Sequence, residues 1–316
     1  MCKFGNSRRG LDAAIKKPRF ARHVAVVWIL AAALTLEGPA RGAAEGEGHD
    51  VRLEQLLNRL DKVAALYRDS ALRFSCHERI TYHPGTPDIR VYDLEYMYVY
   101  DKAKGLLDYR NEIRAGRRKN KPPREVSLAE LDLPAVVLRA YSAIFIFERS
   151  KKDSYRYAIV RDEKVLGRNA VVIRFEAIPP YKPDYNDLFG LAWVDLETSQ
   201  LLKVDALKAD QHELRQQLEA DLAGHSAGTG RRDQDYIIQR ILSEFSVEHN
   251  GMRFPSRVVI RRSHFEVTER DGVRTAVERE IFWIEQTYSK YSFYGVRAHE
   301  QIRDFVSGGA TLGDHP

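Results

Sequence analysis

Cysteine is almost missing from this 316-residue chain: Cys2 sits at the extreme amino end and Cys76 is the only other. One internal thiol cannot close an intramolecular disulfide, so the stapled scaffold of small secreted domains is excluded and the fold has to rest on its core. No Walker or Gly-x-Gly-x-x-Gly sequence is present, which removes two common phosphate-cradling loops. The ten histidines fall in no His-x-x-Glu-His pattern, and no Cys-x-x-Cys accompanies them. Long apolar runs are lacking too. The longest, Val24–Leu36, has 13 residues, short of the ~20 that a membrane-spanning helix needs.

Net charge is the least obvious absence. The chain holds 50 Lys and Arg against 45 Asp and Glu, but residues 1–44 carry 8 of the basic and 2 of the acidic residues. The remainder has 42 basic against 43 acidic. The basic balance therefore belongs to the amino end, and a nucleic-acid partner, which needs basic surface on the folded domain, is not expected. That amino end has the layout of an export signal: a basic stretch Met1–His23, the apolar Val24–Leu36 and the small-residue Gly38–Ala44. A cleavable signal peptide over residues 1–44 is expected, cut near Ala44 or Ala40, with the product in the periplasm or secreted.

Beyond residue 70 the chain mostly alternates between apolar and polar residues. Tyr155–Arg161 leads into the polar Asp162-Glu163-Lys164, read as a turn. Asn169–Ile178 puts Val171, Ile173, Phe175 and Ala177 on one face and Val172, Arg174, Glu176 and Ile178 on the other, the period of an antiparallel strand. Gly190–Asp195 and Leu201–Leu207 continue the meander. Upstream, Phe74–Tyr82, Val91–Tyr100 and Leu106–Arg114 read as strands; downstream, so do Tyr236–His249, Met252–Val267 and Thr275–Tyr288, with Asn250-Gly251 a strong hairpin signal and Ser289–Tyr294 a last aromatic segment. Val51–Arg68 carries a helical apolar stripe suited to docking on a sheet. Ser127 with Glu130 makes a capping box, Pro134 breaks the segment, and Ala135–Phe147 is expected as a second helix. Residues 209–235 read as an insertion of one polar helix and a flexible loop. The expected organisation is one domain over 45–305 and a disordered tail over 306–316.

Two segments carry a resemblance. Gly167-Arg168-Asn169-Ala170-Val171-Val172-Ile173-Arg174-Phe175 is followed by Gly190-Leu191-Ala192-Trp193-Val194-Asp195 and the strand Leu201–Val204. With the hairpin Val247–Val258, this core resembles the LolA/LolB-like outer-membrane lipoprotein-sorting group. The resemblance implies a mainly β fold with packed helices: an antiparallel, strongly curved sheet or unclosed β-barrel, helices on its concave side, and an apolar cavity for acyl chains. Extra material at 103–150 and 209–235, and the lack of a lipobox cysteine, set this chain apart, so no ligand-contacting residue is carried over.

The residues themselves point to aromatic packing more than to catalysis. Tyr157, Ile173, Phe175, Trp193, Phe245 and Trp283 are the candidates for lining a ligand cavity; Val137, Tyr141, Phe145, Tyr181, Tyr185 and Phe189 are the candidates for its gate or rim. Cys76, between Phe74 and Ile80 on one strand face, reads as a small buried hydrophobe, and His77 points the other way. Asp195 and Glu197 sit at a strand end, where unremarkable carboxylates gather. The expectation is a non-catalytic envelope protein without metal or cofactor, binding a lipid, a lipoprotein acyl chain or another apolar ligand, with an envelope protein as a possible partner and peripheral membrane contact possible. The alternative is an interaction module with a solid core.

Overall fold

The computed structural model describes residues 43–68, 73–101, 105–113, 124–134, 143–181, 187–223, 235–270 and 273–294. A helix, α1 (Ala43–Leu66), precedes three strands, β1 (Arg73–His83), β2 (Arg90–Asp101) and β3 (Gly105–Glu112). Two 3-10 turns, Ile144–Phe147 and Arg149–Ser154, lead to β4 (Tyr155–Val165), β5 (Arg168–Ala177), β6 (Leu188–Asp195) and β7 (Leu201–Lys208). After α2 (His212–Leu222) come β8 (Asp235–Glu244), the small hairpin β9 (Val247–His249) and β10 (Met252–Phe254), and the long pair β11 (Arg257–Arg270) and β12 (Val273–Phe293).

Ten strands form one antiparallel sheet in the order β3-β2-β1-β12-β11-β8-β7-β6-β5-β4. The terminal strands β3 and β4 do not pair with each other among the described residues, so the barrel is unclosed. Twisted open sheets of about this width curl. Alternation decides what each face holds. Phe74, Cys76 and Ile80 of β1, Leu94, Tyr96 and Tyr98 of β2, Val171, Ile173 and Phe175 of β5, and Ile260 and Ile284 of β11 and β12 are buried in one core. The same core holds Leu56, Leu60, Val63, Ala64 and Tyr67 of α1, whose spacing of three and four residues lays one helical stripe on the sheet. We call this face inner. The outer face carries a smaller cluster of Ala170, Val172, Trp193 and Leu202.

The described parts of the crossover from β3 to β4, residues 124–134 and 143–154, pack on the inner face. The chain leaves the edge of β3, where Val126 N–H donates to Arg110 O at 2.8 Å, packs Leu128, Leu131 and Leu133 on the core, and arrives at β4, where Tyr157 Oη donates to Ile146 O at 2.7 Å. Half of the Ser127–Glu130 capping box forms, Glu130 N–H donating to Ser127 Oγ at 3.3 Å while the Glu130 carboxylate accepts from the Ser127 hydroxyl at 3.5 Å, and it opens only a turn. Asp132 at φ 51° and Pro134 stop it from propagating. Of the second helix expected over 135–147, residues 135–142 lie outside the described ones and Ile144–Phe147 is a 3-10 turn. The turn expected at Asp162–Lys164 is instead strand. The chain reverses at Leu166-Gly167, where φ is 51° and 76°, positive at both central positions as a two-residue hairpin of matching twist requires. Asn250-Gly251, at 51° and 78°, makes the same turn. The carboxy-terminal strands expected as two segments are the single 21-residue β12.

Gly190 is a close-approach position: a Cβ there would stand 2.1 Å from the backbone oxygen of Asp205 on β7. Gly190→Ala is expected to lower unfolding free energy in urea by about 3 kcal/mol or more, by prising β6 from β7. Gly167→Ala, whose Cβ meets nothing within 4 Å, should lose only the left-handed backbone strain of about 1–2 kcal/mol.

Candidate functional site on the inner face

Strand parity divides the expected cavity residues. Ile173, Phe175 and Phe245 are fully buried in the inner core, and Tyr157 packs against it. Phe147 stands edge-on to Phe175 with ring centroids 5.9 Å apart, so the crossover caps this end of the core. Trp193 and Trp283 lie on the other face. Trp193 is paired with Val172, one residue out of phase with Phe175; its indole N–H donates to Glu163 and Lys203 Nζ sits 4.4 Å from its ring centroid. Trp283 is next to the inward Ile284 and stacks on His83 at 3.8 Å. Neither tryptophan can therefore line an inner cavity, because adjacent strand residues face opposite ways. Of the rim candidates, Phe145 and Tyr181 pack against the inner core. Phe189 lies on the outer face, its ring edge-on to His212 at the start of α2 with centroids 4.7 Å apart. Val137, Tyr141 and Tyr185 lie outside the described residues.

The inner face also holds a polar cluster that the aromatic pattern does not point to. Glu78, of the same parity as Phe74, Cys76 and Ile80, faces inward and is fully buried, and Arg110 on β3 meets it at 5 % exposure. Arg110 donates Nε–H to Glu78 Oε2 at 2.6 Å and Nη2–H to Oε1 at 3.1 Å, a bidentate pair, and Nη1–H to Asp108 Oδ2 at 3.0 Å. Gln286 Nε2–H and Tyr288 Oη–H from β12 donate to Glu78 Oε1 at 2.9 and 3.1 Å. The guanidinium lies 4.7 Å from the centroid of Tyr96. Burial by itself would depress the Arg110 guanidinium, but the Glu78 charge and its hydrogen bonds outweigh that and hold it above its ordinary value. Burial pushes the Tyr96 and Tyr288 phenols well above the usual range, with Glu78 adding to it, so both keep their protons. Two polar atoms here are buried without a hydrogen-bond partner among the described residues: Tyr96 Oη and Gln286 Oε1.

Nothing nearby assembles into a nucleophile. Cys76 is buried, and loss of solvent followed by the Glu78 charge pushes its thiol far up, the reverse of an activated thiolate. His77 faces out to Asp93 at 3.2 Å. Asp195 caps its own turn, accepting the N–H groups of Glu197 and Thr198 at 2.9 and 3.3 Å and Arg168 Nε–H at 2.6 Å. Gly224-His225-Ser226-Ala227-Gly228 has the spacing of a hydrolase nucleophile elbow, which reading the stretch only as a flexible loop passes over. It lies outside the described residues, between α2 and β8. An elbow turns from strand to helix, whereas this connection runs from helix to strand. Among the described residues no group of three His, Cys, Asp or Glu side chains is placed to hold a metal ion.

Removing one partner of the buried pair leaves an uncompensated charge. Arg110→Met is expected to destabilise by about 3–5 kcal/mol in urea unfolding, and the double variant Glu78→Leu with Arg110→Met by less than Arg110→Met alone. Cys76 should resist a thiol reagent at pH 8 in the folded protein and react fully in denaturant, with Cys76→Ser subtracting any signal from Cys2.

No family model and no curated protein matches the chain. Solved structures similar to it include a DUF1329 family protein from Desulfovibrio piger, at 13% identity over 78% of this chain and 92% of that one, with a TM-score of 0.39. A putative outer membrane lipoprotein-sorting protein domain from Vibrio parahaemolyticus matches at 10% identity over 80% and 98%, with a TM-score of 0.41. The LolA superfamily protein NE2245 from Nitrosomonas europaea matches at 13% identity over 77% and 94%, with a TM-score of 0.34. The lipoprotein-sorting group that the strand pattern resembles is thus represented among its structural neighbours, at identities that transfer no residue role.

Proposed function

We propose that this is an exported envelope protein that binds an acyl chain, of a lipid or an acylated protein, against the inner face of its unclosed sheet, without catalysing a reaction. One observation carries the reading: among the described residues the apolar inner face is covered by α1, by short segments of the β3–β4 crossover and by the β9–β10 hairpin, not by a second large sheet. At the β4 edge that cover is fastened by polar contacts at the surface. Arg52 pairs with Asp162 at 2.9 Å, Lys152 with Glu54 at 3.5 Å, Arg68 with Glu148, and Arg149 N–H donates to Asp61 Oδ1 at 2.8 Å. Exposed pairs of this kind hold on the order of 0.2–1 kcal/mol each.

The larger resistance to opening is apolar. Leu56, Leu60, Val63 and Tyr67 are buried by docking of α1, and at about 1.5–3 kcal/mol per side chain they contribute on the order of 10 kcal/mol. An acyl chain gains ~0.8 kcal/mol per CH₂, so a chain of about a dozen methylenes offsets the helix contacts it displaces. Such a near-balanced exchange lets a carrier both load and release. The solid-module alternative has its own support at one end of the core, where Phe74, Phe254, Tyr291 and Phe293 pack with centroids 4.7–6.0 Å apart.

Native mass spectrometry of the protein isolated from an envelope fraction, with organic extraction of the adduct, is the first check. A stoichiometric acyl lipid is the expected result. A clean apo mass together with no uptake of a fluorescent fatty acid would leave the solid module as the better account. Hydrolysis of p-nitrophenyl butyrate that vanishes in Ser226→Ala would overturn the non-catalytic part of the reading.

A further inference from the structure

We propose that the inner-face cluster of Glu78, Arg110, Gln286, Tyr288 and Tyr96 is a head-group site, and that it takes an acyl ligand whose head is uncharged and bears an O–H or N–H group. The inference rests on the acyl-binding reading and specifies which end of the ligand is recognised. Buried polar atoms in folded proteins are nearly always hydrogen-bonded, and one left alone is unfavourable. Here two of them, Tyr96 Oη and Gln286 Oε1, belong to fully buried side chains on the core-facing side of the sheet. The Gln286 amide is fixed by its Nε2–H bond to Glu78, so the oxygen is the end left over. A carbonyl oxygen wants a donor; a phenol can give and accept.

The charges choose between head groups. The Arg110 charge is already matched by the buried Glu78 carboxylate through their bidentate pair, so a phosphate or carboxylate head would bring in a charge that this cluster leaves uncompensated. A glyceryl hydroxyl or an amide N–H would donate to Gln286 Oε1 and meet the Tyr96 hydroxyl without adding charge. Access is available at the sheet's edge. Arg110 lies on β3, the terminal strand, and Asp108 beside it is partly exposed. The segment over this edge starts at the Val126–Arg110 backbone bond and is held by Tyr92 Oη donating to Leu131 O at 2.7 Å and by the exposed Arg90–Asp132 pair at 2.6 Å. Two backbone bonds join it to β3, Val126 N–H to Arg110 O and Glu112 N–H to Arg124 O at 2.9 Å, and freeing it would break these while leaving the ten-strand ladder paired.

Tyr96→Phe tests this cleanly, because it removes one hydroxyl that has no hydrogen-bond partner among the described residues. The full chain would be titrated with 1-monooleoylglycerol, oleamide and oleate, which share one hydrocarbon tail, by displacement of a dansyl-labelled undecanoate. The expected result is that wild type prefers the first two over oleate. Tyr96→Phe should weaken those two by about three- to tenfold, the worth of one hydrogen bond, and leave oleate unchanged. Its urea midpoint should be unchanged or raised. A variant that binds all three as wild type does, or weakens all three alike, overturns the head-group site while the binding reading stands. A wild-type protein that takes up none of the three overturns both.

Discussion

A sheet with one apolar face has to hide that face, and the consequences run through this molecule. Ten antiparallel strands with, among the described residues, only the two-stranded β9–β10 hairpin as a second sheet leave two main remedies, curling and a helix. Both are used. The stripe Leu56, Leu60, Val63, Ala64 and Tyr67 supplies the helix, and Tyr67 Oη donates to Arg253 O, joining the end of α1 to the β9–β10 hairpin. Gln200 joins the same junction, accepting Arg253 N–H at 2.7 Å and donating to Gly251 O at 2.6 Å. The polar anchors therefore gather at one end of the helix. Midway along it, Arg52 and Glu54 make exposed pairs, which hold it less firmly there.

The Glu78–Arg110 pair obeys a different logic. Taking two charges out of water is expensive, and an apolar pair of similar volume often does as well for stability. Stability alone therefore explains it poorly. It does fix geometry. Glu78 draws ligands from β3 and β12, strands on opposite sides of β1 and β2. Slipping β1 by one residue would turn the carboxylate to the outer face and leave Arg110, Gln286 and Tyr288 without it. The pair thus penalises wrong register at the end of the sheet where the order is β3-β2-β1-β12.

Strand positions, the helix stripe and the Asn250-Gly251 turn were legible because each rests on a local period or a local φ requirement. The extension of β4 through Asp162–Lys164 was not: polar residues look like a turn, yet Glu163 is engaged by Arg161 and the Trp193 indole, partners supplied only once the strands are paired. Tryptophan invited a cavity role by size, while parity with Val172 assigned Trp193 to the outer face. The buried carboxylate was there to be read. Phe74, Cys76 and Ile80 define the inward phase of β1, and Glu78 shares it, as Tyr96 and Tyr98 share the inward phase of β2. Its partners were not readable, since Arg110 and Gln286 lie 32 and 208 residues from it in sequence.

The apolar cover and the buried polar cluster belong to parts of the molecule that behave differently. Among the described residues the cover consists of a helix, short turns of the crossover and the β9–β10 hairpin. The polar cluster stands on four strands tied by backbone ladders, with one irregularity between Ser75 and His77, and laddered strands open less readily than short turns. A ligand entering under the cover would displace apolar contacts that are replaceable methylene for methylene, and would meet polar groups that do not have to reorganise to receive it. Tail binding on such a surface is tolerant of chain length, because apolar burial is roughly proportional to area. Discrimination then has to come from the polar atoms, since a buried group left without its partner is penalised far more sharply than a methylene more or less. In the proposed binding mode, an unsatisfied hydroxyl on the strand wall, rather than on a cover that would have to open, is where such discrimination can be built.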